Sequence, residues 1–190
     1  MMNGDEFLVG ERLFLRGLRD SDVPGNYVKW FNDAEVCKYN GHHIFPYSER
    51  QAREYIEFTQ KTKDALVLAV VIKNENIHIG NISLQNINYV NRTAEFAIIM
   101  GEKSYWGKGY AVEAARLIIS HGFSVLNLNR ISCGTSKDNH SMQRMAEALG
   151  FKKEGTRRAA LYKNNDYVDL IEYGLLKNEW AGETYDAGNW

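Results

Sequence analysis

The stretch Trp106-Gly107-Lys108-Gly109-Tyr110-Ala111 carries the clearest chemical potential in this sequence. Two glycines in three residues let the backbone approach a ligand closely and turn its amides inward. A helical pattern from Ala111 to Phe123 begins at once, so those amides stand at the positive end of a helix, a natural seat for phosphate. A diphosphate ligand is therefore the first expectation. Spacing excludes two better-known phosphate motifs. A P-loop needs glycine, four residues and then Gly-Lys-Ser/Thr, whereas five residues separate Gly101 from Gly107-Lys108 and Gly109 holds the hydroxyl position. Val112 stands where the dinucleotide fingerprint requires glycine or alanine. A tight strand-to-helix turn without a ligand is the other reading of a lone Gly-x-Gly.

Other residue types with chemical potential are scattered. On the predicted strand Ala94 to Met100, alternation puts Glu95, Ala97 and Ile99 on one face and Phe96, Ile98 and Met100 on the other. A carboxylate among such apolar neighbours is costly unless it is hydrogen-bonded or functional. The structural alternative pairs Glu95 with Arg92, Arg130 or Arg144. His42 and His43 adjoin one another but have no third metal ligand, so no metal is expected. Asp33, Glu35 and Asp169 suit attraction of a cation, or plain solvation. Trp30, Tyr39, Tyr47, Tyr162 and Tyr167 suit either a pocket lining or the core.

The elements that must position these groups follow from periodicity and punctuation. Arg12 to Arg16 alternates as a strand, and Asp20 or Ser21 can cap a helix running through Tyr27 to Phe31. A polar, aromatic loop spans Asp33 to Tyr47. Ser48 to Gln51 forms a capping box for a helix carrying Ala52, Tyr55, Ile56 and Thr59. Strands are predicted over Leu66 to Ile72 and Ile77 to Leu84, joined at Asn74-Glu75-Asn76, and over Thr93 to Met100. After the glycine motif and its helix come a strand at Arg130 to Thr135 and a helix from His140 to Leu149, stopped by Gly150. Strands Phe151 to Tyr162 and Tyr167 to Leu176 close the pattern across the turn Lys163 to Asp166. The order β-α-α-β-β-β-α-β-α-β-β is an α/β mixed sheet with helices on both faces. Its βαβ unit, Arg92 to Phe151, is the place where such sheets bind cofactors.

Composition narrows the class. The 190 residues suffice for one well-buried core, and 44% hydrophobic with 25% charged residues is ordinary globular usage. A net charge of −1 gives no overall field for nucleic acid or anionic membrane. Cys37 and Cys133 fit neither a metal spacing nor a disulfide framework. Met1 to Glu11 is acidic without an apolar leader core, and no apolar run reaches membrane-spanning length, so a reducing cytoplasm is expected.

This order and its punctuation resemble the GCN5-related N-acetyltransferase superfamily, and within it the RimJ/RimL-like branch. The resemblance runs from Arg12 to Leu176. It rests on Gly80-Asn81-Ile82, Ala94 to Ile98, Tyr105 to Ala111 with Glu113-Ala114, Asn139, and Leu149 to Gly155, in that order and spacing. It implies one domain over residues 1–190, with a core of about 10–177 and a tail of 178–190. The implied sheet is mixed, mostly antiparallel and of about seven strands, with its central pair splayed apart. Acetyl-CoA is the implied cosubstrate, its pantetheine arm lying in the gap as an added strand would. Ile98 and Met100 then supply the backbone edge, Trp106, Gly107, Lys108, Gly109, Tyr110 and Ala111 hold the diphosphate, and Asn139 contacts the arm. Ser104 stands where the family often has Gln or Arg, a departure for which Lys108 is the candidate substitute.

The implied reaction is acetyl transfer to a primary amine by direct attack in a ternary complex. An alkylamine with a lysine-like pKa is only roughly a thousandth neutral at pH 7, so a general base recovers up to about 4 kcal/mol. Glu95 is the expected base or amine anchor. The family's usual general-acid tyrosine position holds Ala146 and its serine alternative holds Met142, which leaves Ser141 as candidate acid, with a helix cap as its plainer role. Carbonyl polarisation would then fall to a backbone amide near Met100. The expected acceptor side contains Asp33, Tyr39, Tyr47, Tyr162 and Asp169. A protein N-terminal α-amine ranks first as acceptor, ahead of polyamines, amino-sugar nucleotides and antibiotics. A non-catalytic acyl-CoA-binding module is the competing class, and a homodimer is left open.

Overall fold

Alternation along the strands at residues 13–17 and 66–72 sorts the apolar side chains into two layers, and the sheet between them organises the molecule. The computed structural model describes residues 5–163 and 165–182. Its strands are β1 (Leu8–Val9), β2 (Leu13–Gly17), β3 (Leu66–Ile72), β4 (Ile77–Asn88), β5 (Thr93–Met100), β6 (Arg130–Ser136), β7 (Lys152–Lys163) and β8 (Asp166–Leu176). They form one sheet in the order β1-β2-β3-β4-β5-β6-β8-β7. Each neighbouring pair is antiparallel except β5 and β6, which run parallel. A parallel pair needs a crossover, and the helix α3 (Tyr110–Ser124) supplies it. The expected sheet of about seven strands is thus one of eight, the addition being β1, whose two residues are too short to show a period.

On β2 and β3, Leu13, Leu15, Leu68, Val70 and Ile72 face one layer, with the buried side of α3 and with Met145 and Ala146 of α4 (His140–Ala148). Phe14, Val67, Ala69 and Val71 face the other, under α1 (Val28–Phe31) and α2 (Glu49–Lys61). The caps follow the sequence. Ser48 Oγ accepts from the Gln51 amide while Gln51 Oε1 accepts from the Ser48 amide, the reciprocal box expected for α2. Gly150, with φ of +88°, ends α4. Asn139 opens it, its Oδ1 accepting the Met142 amide at 3.2 Å.

One helix departs from expectation. The run from Asp20 to Phe31 is broken into a 3₁₀ turn at Asp20–Asp22, a kinked segment at Val23–Tyr27 and only four regular residues in α1. Pro24 lacks an amide and Gly25 leaves helical geometry (φ −84°, ψ −143°). Asp22 also turns inward, where Arg16 grips it with two bonds of 2.9 and 2.7 Å. Burial alone would raise this carboxyl, but the hydrogen bonds from His78 and Arg16 hold it far below the usual carboxylate range. Removing one partner of such a buried pair typically costs about 3–5 kcal/mol, so this pair fastens the α1 layer to β2. At the other end, Trp180 packs onto α3, its indole donating to Ser120 Oγ at 3.3 Å; of the expected tail, 183–190 lies outside the described residues.

Candidate active site

The central strands part where the sequence expects a cofactor. β5 and β6 pair at only three positions, Thr93 with Arg130, Ala94 with Ile131 and Glu95 with Ser132. Beyond these, β5 stays bonded to β4 as far as Met100 opposite Gly80, and β6 stays bonded to β8 as far as Ser136 opposite Leu170. A gap therefore opens beside residues 96–100. The Gly101 amide bonds to the Ile79 carbonyl of β4, so by alternation Ile98 and Met100 turn their backbone groups away from β4 and into the gap. Trp106 donates its indole N–H to the Met100 carbonyl at 2.8 Å. The expected edge is present, but one of its acceptors is already engaged.

The glycine motif lies at the same end of β5. Gly107 and Gly109 adopt left-handed backbone (φ +71° and +84°), and Gly109 is the N-cap of α3. No neighbour lies within 4 Å of a Cβ built on Gly107, so its φ, rather than crowding, calls for glycine. The loop is pinned from outside. Arg12, just before β2, donates from Nη1 to the Lys108 carbonyl at 2.9 Å and from Nε to Glu113 Oε2 at 2.8 Å. Its guanidinium lies 4.5 Å from the centre of the Tyr110 ring. The Lys108 ammonium rests 5.5 Å from the centre of the Tyr105 ring.

Glu95 is the last residue of β5 to pair with β6, so its carboxylate stands where the gap begins. It is exposed, and Asn86 donates to its Oε2 at 3.0 Å. The sequence-based picture of a carboxylate enclosed by apolar neighbours does not hold, because the layer under α1 and α2 takes in β2, β3 and Ile99 of β5 but stops short of Glu95. The alternative arginine pairings are not formed either; Arg130 instead binds Glu154. Cys133, one residue past the last β5–β6 pair, is buried, and burial together with the Glu95 charge pushes its thiol up to about 12. Ser141 is exposed and the helix cap falls to Asn139, whose Oδ1 is thereby used while its Nδ2 keeps both protons.

The expected acceptor residues are only partly brought together. Asp33 and Glu35 both bind Lys103, at 2.8 and 2.6 Å, and the lysine hydrogen bond holds the Asp33 carboxyl below its ordinary value. Tyr47 packs on Phe31 with centroids 4.7 Å apart and lies half-buried against the core of the α1 layer. Tyr39 is half-buried, with Lys38 5.1 Å from its ring centre. Trp30 is buried and donates to Glu102 at 2.9 Å, beside a hollow of about 400 Å3 that is also lined by Asp22, Asn26 and His78. Tyr162 and Tyr167 form an exposed pair on the β7–β8 hairpin, 5.1 Å apart. The neighbouring Lys163 reaches across to the Asn40 carbonyl, tying that hairpin to the loop that carries Ile44 and Phe45. Those two side chains are 70% and 80% exposed. Asp169 has a main-chain partner. Its Oδ1 takes the Ala159 amide at 2.9 Å, holding a bulge of β7 in which Ala159 has φ of +50°.

A splayed parallel pair, a left-handed glycine loop and a helix opening on that loop come together at one end of β5. The profile described as "Acetyltransferase (GNAT) domain" matches residues 12–152. The chain belongs to the GNAT acetyltransferase family. An uncharacterized N-acetyltransferase of Bacillus licheniformis is 34% identical over 93% of this chain and 99% of its own. A putative ribosomal N-acetyltransferase of Bacillus subtilis is 40% identical over 55% of this chain and 56% of its own. Among solved structures, the spermidine N-acetyltransferase of Vibrio cholerae in complex with CoA and spermine superposes with a TM-score of 0.81 at 25% identity, covering 88% of this chain and 97% of that one.

As a GNAT acetyltransferase, the protein transfers acetyl groups from acetyl-CoA, and its fold carries the family's mixed sheet. Among the described residues no helix is long and apolar enough to cross a membrane. Sequence reasoning missed Arg12, Lys103 and Asn86 as parts of this site. Arg12 was legible only as the start of an alternating strand. Lys103 and Asn86 carried no local signal, because their partners stand 68 and 9 residues away.

Proposed function

We propose that this GNAT enzyme acetylates the α-amine of a polypeptide, by direct attack of the neutral amine on the thioester of acetyl-CoA. The amide groups of residues 107–111 take the diphosphate, and the edge at Ile98 and Met100 takes the pantetheine arm. Glu95, directly or through one water, removes the amine proton. The C–N bond forms as the C–S bond breaks, and the CoA thiolate departs without needing a strong acid, its parent thiol being a modest one. The outward-turned Met100 amide suits the carbonyl oxygen as its charge grows. A covalent acetyl-cysteine route has little support, since Cys133 is buried with its thiol pushed up to about 12.

The choice of acceptor rests on one observation: the carboxylates expected to attract a polycation, Asp33 and Glu35, are both already held by Lys103, which cancels one of their two charges. The acceptor side also exposes apolar and aromatic side chains, at Ile44, Phe45, Tyr162 and Tyr167, a rim suited to a polypeptide surface. An exposed base such as Glu95 also fits an α-amine, of which roughly a tenth is neutral at pH 7. A polyamine is the second reading, supported by the likeness to the Vibrio cholerae enzyme bound to spermine. The test offers Ser- and Ala-initiated peptides together with spermidine and an amino-sugar nucleotide, and identifies products by mass. Peptide acetylation is expected to dominate; acetylation confined to spermidine or the sugar overturns the acceptor while leaving the acetyltransferase intact.

A further inference from the structure

A loop that is to seat a diphosphate should present donors only, yet two acceptors lie within this one. Glu113 is in the first turn of α3, where its charge already answers the positive end of the helix and repels a second anion. The carbonyl of Lys108 sits between the two glycines. No cation of the loop faces these acceptors: Ser104 is uncharged and the Lys108 ammonium lies over Tyr105. Both acceptors are instead met by Arg12. Its Nε binds Glu113 Oε2 and its Nη1 binds the Lys108 carbonyl, while Nη2 comes within 3.4 Å of a Cβ built on Gly109. The main chain completes the arrangement, because Glu113 Oε1 accepts the Arg12 and Leu13 amides at 2.7 and 3.3 Å. The Glu113 side chain is thereby turned toward β2 and left only 16% exposed.

We propose that Arg12 is a positioning residue for the diphosphate of acetyl-CoA. It balances the charge of Glu113 and ties back the Lys108 carbonyl, so that the loop offers amides to phosphate oxygens. The inference rests on the acetyl-CoA reading above and adds to it a residue from just before β2, outside the glycine motif. Lysine cannot replace it fully, since one ammonium lacks the fork that spans a carboxylate and a carbonyl at once.

The test compares CoA affinity by calorimetry in the wild type, Arg12→Ala, Arg12→Lys and the double variant Arg12→Ala/Glu113→Gln. Turnover of acetyl-CoA is measured alongside S-acetylpantetheine, a thioester without the diphosphate. Arg12→Ala is expected to weaken CoA about tenfold and Arg12→Lys about threefold. S-acetylpantetheine turnover should fall less than acetyl-CoA turnover in both. Removing the Glu113 charge should restore at least half of the lost affinity, because the unbalanced carboxylate is what repels the ligand. Unchanged CoA affinity in both single variants, an equal loss with S-acetylpantetheine, or no recovery in the double variant overturns the role of Arg12. A wild type that binds no CoA overturns the cosubstrate reading itself, and this inference with it.

Discussion

The two sides of the proposed cleft are built by different means. The cofactor side is made of main chain: the β5 edge, two left-handed glycines and the amides that open α3, all within residues 96–111. The acceptor side is made of side chains gathered from distant segments, with Lys103 on Asp33 and Glu35, Lys163 on the Asn40 carbonyl, and Asp169 on the β7 bulge. Main-chain groups cannot be substituted away, so one side can hold a fixed cosubstrate while the other is retuned by single side-chain changes. The difference separates what the enzyme must share with its relatives from what it can vary.

Perturbing the chemical centre tests the boundary between the two sides and should give the largest effect. Glu95→Gln keeps the shape of the side chain and its bond from Asn86 but accepts no proton. Turnover is expected to fall roughly 10²-fold near neutral pH, and part of it should return at high pH, where the amine is already neutral. Lost thermal stability with retained turnover would make Glu95 structural.

A smaller effect is expected from the acceptor side, where the role of Asp169 can be sharpened. If the residue works by holding the bulge, an acceptor oxygen is enough and its charge is not. Asp169→Ala is then expected to raise the acceptor KM by up to about tenfold, through loss of the bond that holds the bulge. Asp169→Asn should stay within about threefold of wild type, since its oxygen can still take the Ala159 amide. Equal loss in both variants would show that the charge itself binds the amine.

The same contrast explains what the sequence made legible. Strand alternation, the Ser48 capping box, the Gly150 stop and the glycine loop are local signals, and each stands where periodicity and punctuation placed it. The splay also left a trace, because the family motifs on β5 and α3 are contiguous. The broken helix before α1 was misread, since Pro24 and Gly25 outweighed a plausible cap once Asp22 found Arg16 in the core. Tyr47, expected beside the acceptor, is half-buried, and its packing on Phe31 is set by tertiary contact. Arg12 was hidden for the same reason: the loop that it holds lies 96 residues along the chain.

The account depends most on the claim that left-handed main chain at the glycine loop seats the diphosphate of acetyl-CoA. Gly109→Val tests it directly, because a β-branched residue at φ +84° is strained whatever space surrounds it. Calorimetric titration of acetyl-CoA into the folded variant should show affinity lowered about tenfold or more against wild type. An unchanged affinity would contradict the assignment of the loop.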